Sequence, residues 1–119
     1  MFANLVTLLF YSRTYAHRAH LATTSFAAHK ALDEFYKAMT EKIDHLVEMY
    51  QGRHGTVEIN DYTGEPDDVA TPAQVLEYHL KIIEGTRDQA VGNDRPLQNV
   101  VDEICGAYLT TLYKLRTLS

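Results

Sequence analysis

Between Thr24 and Gln51 the apolar residues return every three or four positions: Leu32, Phe35 with Tyr36, Met39, Ile43, Leu46 with Val47, and Tyr50. That interval follows the 3.6-residue turn and lays one apolar stripe along a helix of roughly eight turns. A stripe of this length has to be buried against other helices, which restricts the fold to a helical bundle. Thr23, Thr24 and Ser25 offer hydroxyls to cap the start of this second helix, and Gly52 is the glycine predicted to end it.

Three further segments carry helical spacing. The first, about Phe2 to Ala22, puts Leu5, Val6, Leu9, Ala16 and Ala19 on one side. The third opens at Thr71-Pro72-Ala73-Gln74, where Thr71 is the predicted N-cap, Pro72 fits the first helical position and Gln74 completes a capping box. It runs to about Val91 and stops at Gly92-Asn93. The fourth begins near Asp94-Arg95-Pro96 and continues to Leu118 with Leu97, Val101, Ile104, Tyr108, Leu112 and Leu115 as its stripe.

The second and third helices are separated by a loop predicted over Gly52 to Ala70, with Gly55, Gly64, Pro66 and the acidic pair Asp67-Asp68. A loop that long inside a compact domain calls for a reason. The reason offered here is topological: the second helix is roughly 40 Å long, and a strap of about 20 residues can return along it. Helices two and three then run parallel. Short, long and short connections around four amphipathic helices describe an all-α, ferritin-like four-helix bundle with one long crossover between helices 2 and 3.

At 119 residues the chain makes one domain, 1–119, and excludes a two-lobed enzyme with separate cofactor and substrate domains. Its net charge of −5, with no Lys or Arg in residues 1–12, argues against binding to a nucleic-acid backbone. Cys105 is the only cysteine, so no internal disulfide or cysteine-type zinc site can form, and a reducing, cytoplasmic setting is expected. The apolar start has no basic flank or small-residue cleavage pattern, so no signal peptide is predicted. No apolar run reaches the roughly 18 residues of a membrane span.

Helix two also carries His29, Asp33, Asp44 and Glu48. At about 100° per residue they fall at roughly 0°, 40°, 60° and 100°, one stripe made of two i,i+4 pairs. Each pair brings two ligand-type side chains together, a combination that suits a metal ion. His29 and Glu48 lie about 28 Å apart along the axis, so the two pairs cannot share an ion within one chain. An antiparallel two-fold dimer through helix two removes that obstacle. Facing residue numbers then have a constant total, and 29 with 48 and 33 with 44 both total 77. His29 and Asp33 meet Glu48 and Asp44 of the partner subunit, and an isologous interface makes two such sites.

With these residues in view, the chain resembles Dps, the ferritin-like DNA-binding protein from starved cells. That family's ferroxidase motif is a His near the end of the first helix, a second His twelve residues on and an acid four residues later. An Asp and a Glu follow eleven and fifteen residues beyond that acid. His17, His29, Asp33, Asp44 and Glu48 reproduce every interval. The resemblance implies that His17, His29 and Asp33 of one subunit and Asp44 and Glu48 of its neighbour bind iron and oxidise Fe(II) with O₂ or peroxide. It further implies iron storage and protection from oxidative stress, in a homo-oligomer built on two-fold dimers that can extend to a dodecameric shell. Arg18 stands where that family has Trp, and its basic DNA-binding extension has no counterpart, so DNA binding is the weakest of the alternatives. The stretches His29 to Tyr36 and Glu48 to Gly52 are also similar to small ferritin-like proteins encoded by tailed phages.

The competing reading is a non-catalytic structural or interaction bundle, in which the same stripe supplies only interfacial hydrogen bonds and salt bridges. His20, one turn from His17, reads either as a substitute ligand, a support, or an ordinary surface histidine. Tyr11, Tyr15, Tyr36, Tyr50, Tyr78, Tyr108 and Tyr113 are assigned to packing. His79, Glu84 and Asp88 read as a solvated face of helix three, with an acidic ion path as the alternative. Cys105 is expected to be buried and inert.

Overall fold

The computed structural model describes residues 1–64 and 70–118, and the described residues form four helices: α1 (Phe2–Ala22), α2 (Phe26–His54), α3 (Pro72–Val91) and α4 (Arg95–Thr117). Of the predicted loop, Pro66, Asp67 and Asp68 lie outside the described residues.

The helix ends follow from local chemistry. Thr23 leaves α1 in an extended conformation and its Oγ1 accepts a bond from the Ser25 amide. Of the three candidate hydroxyls it is Ser25 that caps α2, accepting from the Ala28 amide at 3.2 Å. Thr71 and Gln74 form the reciprocal capping box at the start of α3. Gly92, at φ +65°, closes that helix, and Asp94 caps α4.

One boundary differs from the sequence reading. Gly52 stays inside α2, which continues to His54 and ends at Gly55, where φ is +86°. Tertiary contacts hold this extra turn. Tyr50 stacks on Phe2 at 3.7 Å and His54 leans on Tyr50, while Arg53 makes a forked ion pair with Asp94 at 2.7 and 3.3 Å. Those contacts outweigh the roughly 1 kcal/mol preference against a helical glycine.

Side-chain pairs give the directions. The end of α2 meets the start of α4 through Arg53–Asp94, and the start of α2 meets the end of α4 through Glu34–Lys114. Arg87–Asp102 and Glu77–Arg116 set α3 against α4 in the same antiparallel sense. His20–His29 and Phe2–Tyr50 do so for α1 and α2. The helices neighbour one another in the cyclic order α1, α2, α4, α3, and α2 and α3 run parallel at opposite corners. The long crossover is therefore present. Its described residues run along α1: Thr7 donates to the Asn60 carbonyl at 3.0 Å, and Tyr62 stacks on Tyr11 at 4.0 Å. The 43 Å long axis of the molecule is that of the 29-residue α2.

The core is filled by Leu9, Leu32, Phe35, Met39, Ile43, Leu46, Leu76, Ile83, Leu97, Ile104 and Tyr108. At its centre sits a polar knot. Tyr108 donates to Ser12 Oγ at 2.6 Å, and Ser12 Oγ lies 2.9 Å from His79 Nδ1. Burial pushes the Tyr108 phenol well above its ordinary value, keeping it a neutral donor. Glu84 and Asp88 are exposed as expected, but His79 is only 1% exposed, which corrects its placement on a solvated face. It sits four residues from both Val75 and Ile83, within the apolar stripe. Tyr78 and Tyr113 point the other way, exposed rather than packed. Cys105 is buried, and burial raises its thiol pKa. Among the described residues no helix is long and apolar enough to cross a membrane.

Candidate metal centre

The turn at residues 23–25 folds the end of α1 against the start of α2, so residues within a turn or so on either side of it face each other. His20 and His29 are such a pair. Their rings stack with centroids 3.8 Å apart. His20 Nδ1 lies 2.7 Å from the His29 carbonyl oxygen, and His29 Nδ1 lies 2.7 Å from the His20 carbonyl oxygen. A carbonyl only accepts, so each Nδ1 carries the proton and donates. The His20 carbonyl belongs to the last turn of α1, where no helical amide reaches it, and the His29 ring supplies the missing donor.

This clasp settles the tautomers. In the neutral rings Nε2 is left as a lone pair, the form that binds a metal. His20 Nε2 is 3.8 Å from Asp33 Oδ1. Asp33 is meanwhile held by Lys37, whose ammonium sits 3.0 and 3.1 Å from its two oxygens. That hydrogen bond is the main cause of a carboxyl pKa below the usual range, with Tyr36 and His20 adding to it against some desolvation. His17 is exposed and lies flat on Tyr36, the rings 4.0 Å apart and within 8° of parallel. Its centroid is 6.2 Å from that of His20.

The fold thus gathers His17, His20, His29 and Asp33 at one end of the α1–α2 hairpin. It does not bring Asp44 and Glu48 to them. Those two carboxylates lie about two and three helical turns beyond Lys37 on the same helix, exposed and, among the described residues, without a hydrogen bond or ion pair. Among the described residues, no three His, Cys, Asp or Glu side chains are grouped closely enough to hold an ion by themselves. The stripe is exposed at Asp44 and Glu48 and partly covered at His29 and Asp33, and at the start of α2 Phe26 is 78% exposed.

Three features were missed in the sequence: the His20–His29 clasp, the Tyr36 shelf under His17 and the Lys37 counterion of Asp33. The i,i+4 spacing of Asp33 and Lys37 was a legible signal for the last. The placement of positions 20 and 29 close to the turn, one on each side, was one for the first.

The chain is 30% identical over 111 residues to an uncharacterized 14.6 kDa protein of the mobD–ri intergenic region of Enterobacteria phage T4, covering 91% of this chain and 82% of that protein. No solved structure matches it. A family model matches residues 20–115, a span that includes His20, His29, Asp33, Asp44 and Glu48, and the family is not Dps. By that match the chain belongs to DUF5856, a family of unknown function.

Proposed function

We propose that two copies of the chain associate antiparallel through α2 and bind Fe(II) at the two sites so formed, where peroxide or O₂ oxidises it. The observation that carries this reading is the pair of imidazoles, His20 and His29, with Nδ1 tied to carbonyls, and His20 Nε2 3.8 Å from Asp33 Oδ1. The same helical stripe continues into the exposed Asp44 and Glu48, which have no ion-pair partner among the described residues. Imidazole and carboxylate together suit Fe(II), and the added carboxylates of the partner subunit favour the Fe(III) product. Each Fe(II) gives up one electron; two of them reduce one peroxide, whose O–O bond breaks to two waters with two protons taken from solution. Iron is the substrate, and its removal with peroxide is the protective outcome. A closed shell of such dimers would store the oxide.

Anaerobic titration with Fe(II), followed by peroxide and the Fe(III) absorbance, tests the reading. Saturation at about one or two irons per chain, oxidation faster than in buffer, and loss of both in Asp44→Ala/Glu48→Ala with the helical signal retained are the expected results. Sedimentation of a protomer at all concentrations, or no saturable iron, refutes it. A second reading has one observation in its favour: Asp33 already has Lys37 as its counterion. On that reading the stripe is a docking face alone, and the double variant weakens the dimer with no iron activity to lose.

A further inference from the structure

Resting on the iron-site reading above, we infer that His20, and not His17, is the second imidazole of the protomer's half of the site. The spacing motif selects His17, but the fold has turned that ring onto Tyr36, where it is stacked and exposed. His20 occupies the position a ligand needs. It is buried to 8% exposure, and its ring is fixed on one side by the His29 stack. Its Nδ1 proton is committed to the His29 carbonyl, and among the described residues its Nε2 makes no hydrogen bond, with Asp33 Oδ1 at 3.8 Å. A ring held this way has already lost the rotamer freedom that an exposed histidine gives up on binding.

Distance supports the same choice. The 3.8 Å between His20 Nε2 and Asp33 Oδ1 is too long for a hydrogen bond and is spanned by two metal–ligand bonds of about 2.1 Å meeting at an obtuse angle. The group now balancing Asp33 is a single flexible ammonium, Lys37, which is 65% exposed and free to swing into water when a cation takes its place. His17 then acts as the outer wall of the site through Tyr36, without touching the ion.

The test uses the full-length protein with Zn(II) and Co(II) as probes, so that no turnover is needed. In His20→Asn the side-chain amide can still donate to the His29 carbonyl while the Nε2 ligand is gone. Calorimetric titration is expected to show at least a tenfold loss of affinity in His20→Asn and less than a twofold change in His17→Ala, with both variants retaining the helical circular dichroism. Side-chain ¹⁵N spectra of the unaltered protein supply a measurement free of mutational damage: on adding Zn(II), the Nε2 resonances of His20 and His29 shift to metal-bound values and that of His17 stays. Loss of binding in His17→Ala with His20→Asn unaffected, or a shift at His17 instead of His20, overturns the assignment while leaving the iron-site reading intact. Absence of saturable binding in the unaltered protein overturns both.

Discussion

Replacing Ser12 by Ala removes an oxygen that touches two buried groups on two other helices. Tyr108 donates to it from α4 and His79 touches it from α3, at 2.6 and 2.9 Å. Both residues are essentially inaccessible to water. A buried polar group stranded in this way costs about 1–3 kcal/mol, so Ser12→Ala, which strands the Tyr108 phenol, is expected to destabilise by about 1–3 kcal/mol. At about 4 °C per kcal/mol for a domain of this size, that is a fall in Tm of roughly 4–12 °C. Tyr108→Phe strands less, because Ser12 keeps His79, and should cost about 1 kcal/mol. In the double variant the phenol is no longer there to be stranded, so its cost should fall short of the sum by about 1–2 kcal/mol. Urea unfolding followed by circular dichroism at a fixed protomer concentration measures all three values. Additive costs, or a Ser12→Ala cost under about 0.5 kcal/mol, would show that the three groups do not act as one network.

Other expectations concern the bundle ends and the metal. Asp94 caps α4 and pairs with Arg53, so Asp94→Ala should cost about 1–2 kcal/mol and raise amide exchange in the last turn of α2 as well as the first turn of α4. The Lys114 ammonium, hydrogen-bonded to Glu34, holds that carboxyl below its ordinary value. A depressed folded-state pKa stabilises the fold above the unfolded value of about 4.3 and stops doing so as pH falls through the folded one. Lys114→Met should therefore move the Glu34 titration upward, as read by carboxyl ¹³C shifts, and flatten the pH dependence of stability in the acidic limb. Two imidazoles favour later first-row cations, so Zn(II) should inhibit Fe(II) oxidation when added in stoichiometric amount, and a rate unaffected by Zn(II) would place the oxidation elsewhere.

Much of the bundle can be read from caps and stripes. Thr71 to Gln74, Gly92 and Asp94 each carry a local reason to start or stop a helix, and each does so. Gly52 fails as a signal because its effect is small beside the stack of Tyr50 on Phe2 and the Arg53–Asp94 pair, which depend on residues far along the chain. His79 and Ser12 lie within apolar stripes and were hidden only by their residue types; Ser12 is accommodated in the core by its contacts with His79 and Tyr108. The site divides in the same way. Spacing brings His17, His29 and Asp33 to one end of a hairpin, but which ring is fixed and which is laid aside depends on side-chain rotations. Those are set by the turn carbonyls, Tyr36 and Lys37.

The crossover divides the chain into two hairpins, α1 with α2 and α3 with α4, and every remaining helix neighbour pair, α1 with α3 and α2 with α4, lies between them. Neither hairpin can bury its inner face alone, and each offers the other a complementary one. A backbone cut in the strap therefore removes the tether without removing an interface. The halves should recombine as two strands of one molecule, at an effective concentration set by mixing and no longer by the loop. For the same reason the strap is the place where extra sequence can be inserted with the smallest cost to the four helices.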